Sequence, residues 1–273
     1  LYAVTPIQAV VLSIVQGVTE FLPISSSGHL ILAPWFLGWR DQGLGFDIAT
    51  NTGTLLAIVA YFHRDLRDLI AGVFSGAPLS RDGEFVPRTM ALNLVIGTIP
   101  AGLAGLAFHH MIEHEARNPL LIAGTTFTYG LLLLLADIVG RKTRILKDLW
   151  WQDALIIGVA QALALVPGTS RSGITITAAL LLGLTRPAAA TFTFLLSVPI
   201  GILVALKEAK DLWHTPVTSH DLAMMGIGVV VSGLVGYGVI AWLLNWLRRR
   251  SLTVFVVYRV LLAAVILAAM VFR

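Results

Sequence analysis

Gln16 and Glu20 stand four residues apart in an apolar run, so on a helix both side chains share one face, one turn from each other. An unpaired carboxylate at membrane depth is costly, which makes Glu20 a candidate for function; the plainer reading is a half-exposed acid near a helix end. Pro23-Ile24-Ser25-Ser26-Ser27-Gly28-His29 follows, with three hydroxyls and an imidazole where the next helix starts. One serine suffices to cap a helix, so Ser25, Ser26 and Ser27 exceed what capping needs, and hydroxyls beside free N–H groups form an anion site. Gly168-Thr169-Ser170-Arg171-Ser172-Gly173 repeats the pattern and adds a guanidinium, which grips phosphate through two parallel hydrogen bonds. A buried arginine needs a partner, and Glu20 can serve until an anion arrives. Ser170, Ser172, Thr175 and Thr177 offer further hydroxyls.

Other constellations carry less. A serine and a histidine raise an esterase triad, but the chain has no G-x-S-x-G elbow and no orienting aspartate in the usual order. His110-Met111-Ile112-Glu113-His114 matches a zinc-peptidase spacing, yet it lies at the end of an apolar segment just before Arg117-Asn118-Pro119 with no third ligand, and reads as an interfacial polar cluster. Arg259, inside the last apolar segment, suits an ion pair or a backbone contact. Trp150, Trp151, Trp242 and Trp246 suit the membrane interface. There is no cysteine, which excludes disulfides and thiolate chemistry.

The elements that hold these residues must be membrane helices. Of 273 residues 57% are hydrophobic and 12% charged, about half the charge of a soluble domain. The net charge of +4 comes from basic residues in loops, which suits membrane orientation and excludes a nucleic-acid-binding surface. The first apolar run lacks a basic leader and carries Gln16 and Glu20 in place of a cleavage site, so it reads as part of the mature fold. Six stretches are long enough to span a bilayer: about 47–65, 89–109, 118–139, 187–207, 222–247 and 252–272. Two more are broken at half depth, 7–22 by Pro23 before 29–38, and 152–166 by Pro167 before 173–183. These read as two re-entrant helix pairs. Non-helical backbone at that depth must be buried or line a watery cavity, so both breaks should meet at one cavity.

A shift of 145 positions sets Gln16 on Gln161, Ser25 on Ser170, Ser27 on Ser172, Gly28 on Gly173 and Gly38 on Gly183. Gly102-Leu103-Ala104-Gly105 likewise echoes Gly233-Leu234-Val235-Gly236. The expected fold is therefore all-α: a single integral membrane domain, residues 1–273, built as an inverted-topology repeat of about 1–140 and 150–273 with six spanning helices and two re-entrant pairs. Three crossings per half require the inversion, and interrupted helices at matching places of two halves mark a binding site. Arg64, Arg67, Arg81, Arg88, Arg141, Lys142, Arg144, Lys147, Arg186 and Arg248–Arg250 fall on one side; Arg40, Arg117, Lys207, Lys210 and Arg273 fall on the other. The richer side is cytoplasmic.

Residues 16–29 and 167–173 resemble the two signature motifs of the undecaprenyl-diphosphate phosphatase family, also called the bacitracin-resistance protein family. Chain length, Phe194-Leu195-Leu196-Ser197-Val198-Pro199 and the Tyr258-Arg259 pair extend the likeness over essentially the whole chain. The resemblance implies hydrolysis of undecaprenyl diphosphate to undecaprenyl phosphate and inorganic phosphate, recycling the lipid carrier of cell-wall synthesis and conferring bacitracin resistance. It also implies a bacterial inner-membrane location, phosphate release on the periplasmic face, a divalent cation, Mg²⁺ or Ca²⁺, and a homodimer. The family motif admits glutamate or glutamine at Gln16; the amide here leaves Glu20 as the metal or base residue. One carboxylate is enough for Mg²⁺, which keeps several waters and binds substrate phosphates.

The expected site thus combines catalytic Glu20, His29, Ser26 and Arg171 with substrate-binding Ser25, Ser27, Ser170, Ser172, Thr175 and Gln16. His29, Ser26 and water are all open as the nucleophile, with His29 also able to move a proton. A lipid-phosphate flippase or anion transporter is the alternative, since broken helices in an inverted repeat describe transporters as well. The small-residue faces Gly102-x-x-Gly105 and Gly233-x-x-Gly236 suit either a dimer contact or internal packing.

Overall fold

A computed structural model describes residues 4–75, 80, 83–115, 118–212 and 217–272. Among them are eleven α-helices and no strand: α1 Pro6–Thr19, α2 Ser26–Leu37, α3 Leu44–Tyr61, α4 His63–Ser75, α5 Pro87–Glu115, α6 Pro119–Val139, α7 Trp151–Ala162, α8 Arg171–Leu181, α9 Arg186–Leu212, α10 Ser219–Leu247 and α11 Thr253–Phe272. Six helices, α3, α5, α6, α9, α10 and α11, are long and apolar enough to cross a membrane. The protein is a multi-pass membrane protein. Each expected span agrees with an observed helix to within a few residues at its ends. The amphipathic α4 was not expected; its Leu66, Leu69, Ile70 and Val73 recur at helical spacing between Arg64, Asp65, Arg67 and Asp68, too polar for a span and too short to stand out.

Local chemistry sets the helix limits. Thr5 caps α1 in a reciprocal pair with Gln8, and Pro6 sits at the first helical position, where its missing N–H costs nothing. Pro23 bars continuation, since the residue before a proline avoids helical angles. Asn118 caps α6 ahead of Pro119. Asp153 accepts from the Trp150 N–H at 2.8 Å and pairs with Arg144, so one carboxylate fixes both the start of α7 and the loop before it.

The halves interlock. α1 packs along α10 of the second half, and α7 packs along α5 of the first, while α3 lies against α10 and α6 against α11. Two of these contacts bring backbones together: a Cβ on Gly53 of α3 would overlap Ser232 and the Val229 carbonyl of α10, and one on Gly158 of α7 would overlap the Gly97 carbonyl of α5. Gly233 and Gly236 belong to this internal packing, against Gly53 and against Phe21 and Ala57. Gly102 and Gly105 instead border a cavity. At one end of the molecule Asp137 closes α6 by accepting from Arg186 Nε at 2.5 Å and from the Leu252 N–H at 3.0 Å, so the end of α6 and the starts of α9 and α11 share the basic side. Trp150 and Trp151 are exposed there, and Trp242 stacks on Trp246 with ring centres 5.3 Å apart.

Candidate active site

Both interrupted segments turn in the same way. Ser25 has φ 75° and ψ 95°, Ser170 has φ 72° and ψ 114°, and each serine caps the helix that follows by accepting from a glycine N–H, Gly28 at 3.4 Å and Gly173 at 3.1 Å. Non-glycine residues rarely adopt such positive φ, at a cost of order 1–3 kcal/mol each, so two matching occurrences mark turns held for a purpose. Ser172 Oγ donates to the Leu22 carbonyl at 3.0 Å and ties the second turn to the first.

Glu20 lies where the two turns meet. One carboxylate oxygen pairs with the Arg171 guanidinium; the other accepts from Ser26 Oγ at 2.5 Å and from Gln16 Nε2 at 3.1 Å. The Gln16 amide also donates to Asn51 Oδ1 at 2.8 Å, which brings α3 into the cluster. The ion pair foreseen as a resting partner for Arg171 is present.

A cavity of about 900 Å³ opens from this cluster. Glu20, Ser25, Ser26, Ser27, Ser170 and Arg171 line its polar end; Val95, Ile99, Leu103 and Leu106 of α5 and Leu203 and Val204 of α9 form its apolar walls. The other expected site residues stand behind the lining. Gln16 is buried beneath Glu20, and Thr175 is buried with its hydroxyl donating to the Arg171 carbonyl at 2.8 Å and accepting from Thr193 at 3.0 Å. Ser172 is likewise buried between the turns.

His29 is turned away from Glu20. Its Nδ1 lies 2.6 Å from the Ser25 carbonyl, which can only accept, so Nδ1 carries a proton and Nε2 is left to face the Tyr258 hydroxyl at 2.6 Å. Tyr258 of α11 and Asn51 of α3 were not singled out in the sequence as members of this cluster. Asn51 had a signal, a polar residue inside an apolar span; Tyr258 stood out only through the family likeness, and no local pattern tied it to His29, 229 residues away. Arg259 makes backbone contacts and, among the described residues, no ion pair. The side chains of His110, Glu113 and His114, and all of Arg81, Arg117 and Arg273, lie outside the described residues.

Among the described residues no group of three His, Cys, Asp or Glu side chains could hold a metal. The donor set is nevertheless one of hard oxygens: the Glu20 carboxylate, Asn51 Oδ1 and Gln16 Oε1, a buried oxygen with no hydrogen-bond partner. Such a set fits a cation that draws most of its ligands from water and phosphate, not one needing a protein cage.

Comparison with known proteins places these turns in a family. The family model described as bacitracin resistance protein BacA matches residues 9–265. The chain belongs to the BacA family. It is 50% identical over 264 residues to a protein of Magnetococcus marinus named undecaprenyl-diphosphatase, covering 96% of this chain and 98% of that one. A Stutzerimonas stutzeri protein named undecaprenyl-diphosphatase 2 is 49% identical over 96% of this chain and 97% of its own. An undecaprenyl-diphosphatase of Moorella thermoacetica is 49% identical, with 97% of each covered. The BacA model spans both interrupted segments, so the paired turns and the Glu20 cluster lie inside the region of similarity.

Proposed function

We propose that this protein hydrolyses undecaprenyl diphosphate to undecaprenyl phosphate and inorganic phosphate, with Ser26 as nucleophile. The observation that carries this reading is the Ser26 hydroxyl 2.5 Å from a Glu20 carboxylate whose other oxygen holds Arg171, all at the polar end of a cavity with apolar walls. A lipid diphosphate has that same division, and the relatives carry the name of the corresponding hydrolase. A transporter gains no support from those names.

Ser26 Oγ attacks the terminal phosphorus while its proton passes to Glu20. The bond from that phosphorus to the bridging oxygen breaks, and undecaprenyl phosphate leaves with the bridging oxygen and the proton that Glu20 had taken from Ser26. Water then attacks the phosphoserine, Glu20 takes up its proton, and inorganic phosphate departs as Ser26 regains a hydrogen. Arg171, freed from Glu20 as the substrate enters, grips the phosphate oxygens, and N–H groups at the starts of α2 and α8 add uncharged donors. His29 supports this geometry by holding the Ser25 carbonyl, while Tyr258 fixes the ring.

A divalent cation, Mg²⁺ or Ca²⁺, would be held by Glu20 with Gln16 and Asn51 beside it. When bound it supplies neutralisation of phosphate charge. The cavity starts at mid-depth and runs along α5 to Leu106 and along α9 to Glu208, toward the ends of those helices away from the basic loops, so the reading has it open on the periplasmic face of a bacterial inner membrane. Leu103, Leu106 and Leu203 are exposed beside it and suit a prenyl tail lying in the bilayer.

The test is phosphate release from undecaprenyl diphosphate by the purified protein in detergent, with Mg²⁺ or Ca²⁺ supplied, beside Glu20→Gln, Arg171→Ala and Ser26→Ala. Turnover by the wild type and loss in all three variants is expected. An inactive wild type, or variants that turn over unimpaired, would reject the reading.

A further inference from the structure

Arg259 sits in the second turn of α11, wholly buried, and among the described residues it makes no ion pair with any carboxylate. Its guanidinium serves five backbone carbonyls instead. Nε donates to Thr126 at 2.9 Å; Nη1 donates to Pro23 and to Thr169, both at 3.1 Å; Nη2 donates to Gly168 at 2.9 Å, Thr169 at 3.1 Å and Thr125 at 3.4 Å. Pro23 belongs to the first broken turn, Gly168 and Thr169 to the second, and Thr125 and Thr126 to α6. Glycines make the room: a Cβ on Gly173 would stand 3.1 Å from Nη1, and one on Gly130 would stand 3.2 Å from the Arg259 Cβ and 3.3 Å from Nε.

The hydrogen bonds satisfy five carbonyls, but the placement carries an electrostatic cost. A cation at the N-terminal end of a helix adds to the positive end of the dipole, and here α2 and α8 both begin beside the turns that Arg259 holds. The nearby carboxylate, Glu20, is already paired with Arg171. The cluster therefore keeps one net positive charge that carbonyl dipoles, and no carboxylate, offset. A dianionic phosphate arriving in the cavity offsets it.

We propose that Arg259 is a positioning residue for the phosphate site, acting through the two turns without touching the substrate. Trans peptides point the carbonyl and the following N–H in opposite directions, and the chain has no cis bond among its described residues. With the Thr169 carbonyl drawn to Arg259, the Ser170 N–H is directed to the opposite side, where Ser170 and Arg171 line the cavity. As the first helical N–H groups, those of Arg171 and Ser172 have no acceptor within the helix. The arginine thus orients donors toward the phosphate and adds long-range positive potential. This deepens the phosphatase reading and rests on it for the identity of the anion.

The experiment measures binding of inorganic phosphate to the purified full-length protein by calorimetry, together with turnover, for the wild type, Arg259→Lys and Gly130→Ala. A lysine can serve at most three of the carbonyls, and a methyl on Gly130 has Arg259 atoms as its three nearest neighbours, so it crowds the arginine stem first. The phosphate Kd is expected to rise about tenfold in Arg259→Lys and about threefold in Gly130→Ala, with KM for the lipid rising more than kcat falls. A purely structural role would lower the melting temperature and leave Kd and KM in place at temperatures where the variants are folded. A Kd within about twofold of wild type in every folded variant overturns the proposal, and Gly130→Ala decides alone if Arg259→Lys does not fold. Wild-type protein that binds phosphate without turning over lipid diphosphate, with binding weakened in the variants, would reject the hydrolase and still support the positioning role.

Discussion

Ser26 and His29 lie three residues apart, and only Ser26 faces the carboxylate. With Ser26 as the proposed nucleophile, Ser26→Ala should lower kcat by about 10³-fold or more, measured as phosphate release. Tyr258→Phe deletes one hydrogen bond to His29 and should cost only about fivefold, because a neutral bond contributes about 1 kcal/mol. If His29 were the nucleophile, Ser26→Ala would keep much of its activity and Tyr258→Phe, which frees Nε2, would not lower it. Gln16 offers a separate check on the cation. Gln16→Glu puts a second carboxylate where the amide now donates to Glu20, so the variant should melt below wild type without a divalent ion and recover on adding Mg²⁺ or Ca²⁺. Melting curves with and without chelator read this directly, and a variant indifferent to the ion would count against a cation site there. The sequence made Glu20, Ser26 and Arg171 legible because charge and surplus hydroxyls stand out in an apolar chain. Which way the His29 ring points depends on a tyrosine from the last helix, and no local pattern encodes that.

At the scale of helices, the two breaks were readable because proline and serine are strong punctuation in apolar runs. Their shared positive φ was not, since serine gives no sign of a conformation that glycine would adopt more easily. The long spans were readable from apolar length alone, whereas α4 escaped because its pattern is amphipathic and its length modest. Helix pairing across the halves rests on small residues whose partners are distant, as Gly53 with Ser232 shows. Gly53→Ala forces a Cβ into the Val229 carbonyl and should destabilise the protein by about 1–3 kcal/mol, seen as a lower melting temperature in detergent. Gly124→Ala is the control, because a Cβ there meets nothing within 4 Å and should be neutral or raise stability by about 0.5–1 kcal/mol.

For the whole molecule, the distribution of Lys and Arg predicts which face the cavity serves. The chain lacks cysteine, so each single-cysteine variant carries one thiol. Ser219→Cys, at the exposed start of α10, should react with a membrane-impermeant maleimide in intact cells, and Arg249→Cys should react only after permeabilisation. The opposite labelling would turn the protein over and move the cavity to the cytoplasmic side. The interlocked halves bring a carboxylate and a serine hydroxyl from one broken segment against a guanidinium from the other, and the proposed hydrolysis depends on what that junction does to a phosphate. The most direct test is rapid acid quench of enzyme turning over undecaprenyl diphosphate labelled in its terminal phosphate, followed by peptide mapping. An acid-stable label on the peptide containing Ser26, absent from Ser26→Ala, is the predicted result. A label on the His29 peptide in a parallel alkaline quench, or normal turnover by Ser26→Ala, would contradict it.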